Sequence, residues 1–380
     1  MKKLTIVVDA TSIVNTGGLT HLYEILYHYE EKAHPAIKTI IIIGSTKVLN
    51  SLPKKDIFKN KTSFLLNSNK FFRLIYQIFL MDFFLKKNAD ILFSLSGDFI
   101  GRFNPVVGMS QNMLLYERKF WSEIKSFKEK TKLFINFKRQ QKCFKKSSGI
   151  IFISNYAKKY ISNVLSLTEK KASVIHHGIS ERFVFKNNLK KSLKNYSFED
   201  PFKFIYVSTI HVYKNQWNVI EAIANLRDIG YPVSLTLIGS VIYKPSGKRM
   251  ISIMKDRDPK NEFINYIEEV EYNKIQNFYS SHDGIIFASS CENMPNILIE
   301  SMGSGLPVAC SEKMPMPEFL GDGGIYFNPT LVESIEQSLI NLLSNLPLLE
   351  QRTNNLKKLK NFSWRDTSKK TFSFISNINT

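Results

Sequence analysis

Two patterns of apolar residues alternate along the chain. Short unbroken apolar runs, each followed by a polar turn, predict strands buried on both faces, as in a parallel sheet. They lie at residues 6–8, 39–43, 91–93, 105–109, 148–154, 172–175, 204–208, 233–238, 263–267, 284–288 and 307–309. Between them apolar residues recur three and four apart, as in Leu19, Leu22, Tyr23, Leu26 and Tyr27, or Ile220, Ala222, Ile223 and Leu226, which predicts amphipathic helices. Strand and helix alternating in two successive sets predict an α/β chain of two doubly wound domains, with ligands at the carboxyl ends of the strands.

The predicted division is a first domain at residues 1–184, a Lys/Asn/Ser-rich linker at 185–201, a second domain at 202–362 and a terminal helix at 363–380. Residues 240–255, basic and glycine-containing, read as a loop. Residues 70–87 read as a helix that is apolar on most sides, with a narrow polar stripe at Lys70, Arg73 and Gln77. Burial and contact with lipid both fit such a helix, and the neighbouring strands favour burial.

Composition narrows the class. With 43% hydrophobic and 13% aromatic residues in 380, two proper cores are expected and disorder is excluded. Cys143, Cys291 and Cys310 have neither metal nor disulfide spacing, so a reduced, cytosolic protein is expected, with Cys291 as a small buried filler. The first apolar run, Leu4 to Val8, is too short for a signal-peptide core. The most apolar later stretch, 71–84, is interrupted by Arg73, Gln77 and Asp82 and is not expected to span a membrane.

The net charge of +19 sits wholly in the first half, where residues 1–200 carry 34 Lys+Arg against 15 Asp+Glu. Ten of these cations lie between Lys119 and Lys146, among Phe120, Trp121, Phe127, Leu133, Phe134 and Phe137. A basic helix with aromatics serves an RNA face, an anionic membrane contact or a plain solvated surface.

The candidate chemistry concentrates at residues 283–329. A strand at 284–288 breaks into the turn Ser289 to Asn293. A helix is then expected with Pro295 at its first position, Ile297, Leu298, Ile299 and Met302 on its apolar face, and Gly303 and Gly305 as its stop. Glu292 lies in the turn and Glu300 two helical turns on. A helix N-terminus offers N–H groups to a phosphate, and a carboxylate accepts strongly from vicinal hydroxyls. Together these groups fit a sugar nucleotide, although strand-to-helix turns with an acid also occur without any such role.

Glu292-x(7)-Glu300, followed by GSGLPV and by Glu318 before GDGGIYF, resembles the E-x(7)-E signature of the retaining glycosyltransferases with the GT-B fold, the group 1 type (family 4) that includes bacterial mannosyltransferases. The resemblance is strong over residues 203–329 and weaker before Gly178. It implies two Rossmann-like domains facing an interdomain cleft, with the terminal helix crossing back onto the first domain. It also implies Glu292 against the donor sugar hydroxyls, Glu300 against the ribose, and backbone groups of Asn293, Met294, Pro295 and Asn296 around the transferred sugar.

In such relatives the turn after the first strand of the second domain supplies an Arg and, five residues on, a Lys to the donor diphosphate. Lys214 fits the Lys and, with Glu292, is the catalytic candidate, while the Arg position falls on Thr209, leaving Ser208 or His211 to assist. Val270, between Glu269 and Glu271, is placed at the base. Gly17 and Gly18, between the first strand and its helix, border the diphosphate and acceptor side. A His-Asp pair common in the family aligns with Gln111 and Asn112, so an imidazole is missing and amides face the acceptor instead. Glu117 and Arg118 fit either the acceptor side or a surface ion pair, and His21, His28, His176 and His177 are not expected to be ligands.

The implied reaction moves a sugar from GDP-mannose or a UDP-sugar to a glycan or lipid-linked acceptor in cell-surface polysaccharide or lipopolysaccharide assembly. No metal or other cofactor is expected, nor a nucleic-acid partner. The location implied is cytoplasmic, with an anionic membrane surface as a partner of the basic half. The rival reading is a non-catalytic nucleotide- or RNA-binding protein on the same fold.

Overall fold

In the computed structural model, residues 3–13, 17–167, 170–184, 196–345 and 348–378 are described. The linker expected at 185–201 lies, up to residue 195, outside the described residues. The chain divides into one compact unit of residues Met1–Arg118, Lys125–Gly178 and Phe362–Thr380, and a second of Lys119–Ile124 and Ile179–Asn361.

Among the described residues the first unit holds seven strands: β1 (Leu4–Asp9), β2 (Ile37–Ile43), β3 (Phe58–Lys61), β4 (Ile91–Ser94), β5 (Val106–Ser110), β6 (Gly149–Phe152) and β7 (Lys171–Val174). They form one parallel sheet in the order β3-β2-β1-β4-β5-β6-β7. Val7 lies opposite Ile41 on one side and Leu92 on the other. Val7 and Leu92, like most of β1, β4, β5 and β6, are fully buried, which is why their sequence runs apolar without alternation. The edge strand β3 was not expected, because three of its four residues face solvent and give it no apolar run.

Helix α1 (Gly17–Tyr27) follows β1 and turns His21, Leu22, Ile25 and Leu26 inward. The C-terminal helix Trp364–Ser376, capped by the Ser363 hydroxyl, packs on α1 through a hydrogen bond from Ser368 Oγ to Ile25 O of 2.6 Å. Trp364 stacks on His177 at 5.4 Å and meets His21 edge-on at 5.7 Å. Gly178 sits so close that a Cβ there would lie 2.1 Å from the Trp364 nitrogen, so glycine at this point is a packing requirement.

The run at 70–88 corrects an expectation. It is α2 (Lys70–Ile75), a π-helical turn Tyr76–Leu80 and α3 (Met81–Asn88), begun by Asn69, whose side chain accepts from the Phe71 and Phe72 amides. Tyr76, Gln77, Met81 and Leu85 are buried, but Phe71, Phe79 and Phe83 are 67%, 70% and 63% exposed. The apolar residues outnumber what the inner side can cover, so burial of the whole helix fails. The basic stretch 119–146 is likewise broken, into a short helix Lys119–Glu123 and α4 (Phe127–Lys146), the latter capped by Ser126.

Among the described residues the second unit holds β8 (Phe202–Val207), β9 (Val233–Ile238), β10 (Ile264–Ile267), β11 (Gly284–Phe287), β12 (Val308–Ser311) and β13 (Ile325–Phe327), in the order β10-β9-β8-β11-β12-β13 and parallel throughout. This is the doubly wound order of the dinucleotide-binding folds. Helix α5 (Gln216–Asp228) follows β8 and α6 (Lys244–Arg257) follows β9. The loop expected at 240–255 is therefore largely α6. Pro245 fits its first turn, Met250 and Met254 are buried, and Gly247 is needed because a Cβ would lie 2.6 Å from Val241 Cγ1. Helix α7 (Asn296–Gly303) begins one residue after Pro295, which stands at its cap.

In both sheets the strand order reverses beside the first strand, between β1 and β4 and between β8 and β11. In open α/β sheets ligands bind in the crevice at the carboxyl ends of the strands beside such a reversal. Among the described residues no helix is long and apolar enough to cross a membrane.

Candidate active site

At the reversal in the second sheet, the loop 208–215 after β8 and the loop 288–295 after β11 run side by side. The amide of Ser290 donates to Tyr213 O at 2.7 Å. Asn215, in the left-handed region at φ 53°, donates from Nδ2 to Ala288 O at 2.8 Å and to Ser290 Oγ at 2.7 Å. Asparagine tolerates this backbone, and its amide joins the two loops. Lys214 is thereby aimed across the gap, and its Nζ hydrogen-bonds Glu292 Oε1 as an ion pair. The two side chains are only 8% and 17% exposed, so the pair is shielded from water on most sides. Tyr206, fully buried, fixes the Lys214 backbone by donating to its carbonyl at 2.8 Å.

Ser208 and Thr209, expected beside a diphosphate, are both held by Gln216, whose Nε2 donates to Ser208 Oγ at 2.8 Å and to Thr209 O at 3.0 Å. His211 turns its ring toward Tyr213 and Tyr243 instead, at 4.7 and 5.6 Å between centroids. Asn293 and Met294 are buried in the turn. Pro295 has no N–H to offer, and the Asn296 amide donates to Met294 O at 3.0 Å.

Glu300 lies on α7, buried, and accepts from the Tyr272 hydroxyl. Tyr272 follows Val270 by two residues on the loop after β10, so the stretch expected near a base and the acid expected near a ribose are brought together. The Arg182 guanidinium stands 4.1 Å from the Tyr272 ring centroid. Burial pushes the Glu300 carboxyl up to about 7, against smaller opposing effects of Tyr272 and Arg182. Tyr272, Arg182 and Asn215 were not singled out from sequence. Tyr272 and Arg182 reach Glu300 from 28 and 118 residues away, and only the Asn-Gln step after Lys214 hinted at a turn.

A carboxyl whose folded value lies above its ordinary 4.5 stabilises the fold in its neutral form. That contribution is complete below 4.5 and lost as the pH rises through about 7. It amounts to roughly 3 kcal/mol. The melting temperature of the unliganded protein should therefore fall between about pH 5 and pH 8, and Glu300→Gln should flatten part of that fall. Equal slopes in the two proteins would show that Glu300 titrates elsewhere.

The reversal in the first sheet opens a cavity of about 950 Å³ lined by residues after β1, β4 and β5 and by α2, the π-helical turn and α4. Gly18, Gln111 and Asn112 line it together, the first two close enough that a Cβ on Gly18 would meet Gln111 Oε1 at 3.5 Å. Gly17, expected to act with Gly18, begins α1, and among the described residues nothing lies within 4 Å of its missing Cβ. A polar network floors the cavity: Arg139 Nη2 pairs with Asp98 Oδ2 at 2.9 Å and donates to Gln77 Oε1 at 2.6 Å, and Ser12 Oγ donates to Asp98 at 2.7 Å. Behind it Asp9 accepts twice from Thr11, and burial, reinforced by Asp98, pushes its carboxyl up to about 6. Glu117 is buried and accepts from Tyr156 at 2.8 Å, while Arg118 covers the Phe137 ring at 4.8 Å. His176 bonds Ile153 O, and His21 and His177 pack in the core.

Residues 186–359 match the family model of glycosyl transferases, group 1, which bears out the group 1 part of the resemblance over this region. The chain is 25% identical over 212 residues to the O-antigen chain mannosyltransferase RfbU of Salmonella typhimurium, and over 171 residues to the O-antigen chain mannosyltransferase B of Escherichia coli. These alignments cover 56% and 44% of the chain and 55% and 44% of the relatives, so the chain spans about half the length of the curated relatives it matches. A crystal structure of a glycosyltransferase from Rickettsia africae superposes with a TM-score of 0.71 at 18% identity, covering 100% of both chains. Sucrose-phosphate synthase from Thermosynechococcus elongatus gives 0.73 at 13% identity over 97% of each chain. Anabaena HepE, solved with UDP and glucose, gives 0.69 at 14% identity over 98% of this chain and 100% of that one. The two-unit fold is thus that of GT-B glycosyltransferases.

Proposed function

We propose that this chain, matched over its second unit by the group 1 glycosyl transferases, transfers a sugar with retention from a nucleotide sugar to a glycan or lipid-linked acceptor. The observation that carries the reading is the shielded Lys214–Glu292 pair at the strand-order reversal of the matched unit. A buried carboxylate alone would be costly; paired with a lysine it stays charged until a ligand supplies a better partner for each group. A diphosphate takes the ammonium, and sugar hydroxyls then donate to the freed carboxylate. Glu300 and the Tyr272 hydroxyl meet the ribose, with the base beside Val270.

In the resemblance's mechanism the bond from the anomeric carbon to the phosphate oxygen breaks and the acceptor oxygen attacks from the same face. The departing phosphate takes the acceptor proton. Lys214 and the amino end of α7 meet the charge that develops on the leaving diphosphate, a role that calls for no metal or other cofactor. The two O-antigen mannosyltransferase relatives favour GDP-mannose over a UDP-sugar as donor and lipopolysaccharide or polysaccharide assembly as the setting. The chain then works in the cytoplasm, peripheral to the membrane.

Thermal stabilisation by GDP, UDP, ADP and their sugars tests this. One nucleotide at about 100 times its Kd should stabilise the protein by about 2.7 kcal/mol, a shift of several degrees, and Glu300→Ala should lose most of it. No shift with any nucleotide would sink the reading.

A further inference from the structure

We infer that the outer face of α2, the π-helical turn and α3 is a membrane-docking strip that inserts into an anionic lipid bilayer. Phe71, Phe72, Ile78, Phe79, Leu80 and Phe83 are all exposed on it. Six large apolar side chains within thirteen consecutive positions are far more than the scattered exposed leucine or phenylalanine of an ordinary surface. Their opposite side is occupied: Tyr76, Met81 and Leu85 are buried, Arg73, Leu74 and Gln77 line the first unit's cavity, and Asp82 accepts from the Arg102 and Phe103 amides at 2.6 and 3.0 Å. The one acidic group of this run is thus turned away from the phenyl rings and engaged. An amphipathic helix with this division lies in an interface rather than across it.

Charge selects the occupant. Lys87 Nζ stands 4.2 Å from the Phe83 ring centroid, and Lys61 Nζ stands 5.6 Å from that of Phe84. Ammonium groups level with phenyl rings suit a bilayer boundary, where rings enter the acyl region and cations meet lipid phosphates. Helix α4 repeats the theme: Phe127, 83% exposed, lines the same cavity together with Lys128 and Lys132. Both helices bordering the cavity thus carry apolar and basic side chains. For its purpose this rests on the reading of a lipid-linked acceptor, but its test does not.

The experiment is flotation of the full chain, without nucleotide, on vesicles of phosphatidylcholine with and without phosphatidylglycerol. Wild type should bind the anionic vesicles, and the combined variant Phe71→Ser, Phe79→Ser, Phe83→Ser should bind about tenfold more weakly or worse. Its nucleotide stabilisation should match the wild type, which separates failure of the strip from failure of the transfer reading. Independently, Phe79→Cys carrying an environment-sensitive fluorophore should shift to the blue on anionic vesicles; Cys143, Cys291 and Cys310 are buried and stay unlabelled. Vesicle binding with no shift at position 79 would overturn the proposal. So would a dimer that the triple variant dissociates, or binding to single-stranded RNA in place of vesicles.

Discussion

Lys214→Ala should lower kcat/KM for transfer by about a thousandfold, with a stability loss of only about 1–2 kcal/mol. The asymmetry follows from the site. Without a ligand, removing the ammonium leaves the Glu292 carboxylate short of one partner, and its 17% exposure lets water supply part of the compensation. In the proposed transfer there is no such relief, because the leaving diphosphate would gain charge where the resemblance aligns Thr209 with a second cation. In that reading Lys214 meets charge that a second cation would otherwise share. Lys214→Arg, which keeps the charge but alters its reach, should retain more activity than Lys214→Ala. The measurement is nucleotide release from the donor that stabilises the protein. An alanine variant within about tenfold of wild type would mean that Glu292 and Lys214 form a structural pair rather than the reacting centre.

Gly97→Ala should lower the melting temperature by roughly 10 °C, the equivalent of about 3–4 kcal/mol. Gly97 closes the turn after β4 with φ +59°, its amide donating to Ser94 O at 3.0 Å. A Cβ there would lie 2.5 Å from both Met109 O and Phe144 Cε1. The oxygen belongs to the carboxyl end of β5 and the ring is fully buried, so neither moves cheaply. The next residue is Asp98, and a shifted turn would pull it off Ser12 and Arg139 and disturb the cavity floor. Gly17→Ala is the contrast: among the described residues nothing lies within 4 Å of its missing Cβ, and the change should stay within about 0.5 kcal/mol of wild type. Melting curves of both variants decide the matter, and equal midpoints would refute the distinction.

That pair of glycines shows where reading from sequence stopped. Gly17 and Gly18 drew notice because they stand together after a strand, while Gly97 stands alone and is fixed by a backbone oxygen and a ring 12 and 47 residues further on. The second unit was more legible than the first. Its central strands β8, β11 and β12 are mostly buried on both faces and announce themselves as apolar runs, although the half-exposed edge strand β13 was not expected, and Glu292 and Glu300 belong to one continuous strand, loop and helix. Their partners do not. Tyr272 and Arg182 reach Glu300 only because the chain returns, and a tyrosine in a run of acidic residues carries no mark of its hydroxyl's partner.

Composition and periodicity by themselves determined that the chain is α/β, that it makes two parallel sheets, and that two acids flank a helix start after a buried strand. These properties are local, since a strand's burial and a helix's stripe are written in neighbouring residues. The tertiary structure alone decided which apolar helix stays uncovered, which lysine meets Glu292 and which polar groups floor the first unit's cavity. Phenylalanines at 71, 79 and 83 have the same spacing whether or not another layer covers them. Only the packed chain shows that the inner side of that helix is already filled, and that its rings are left facing outward.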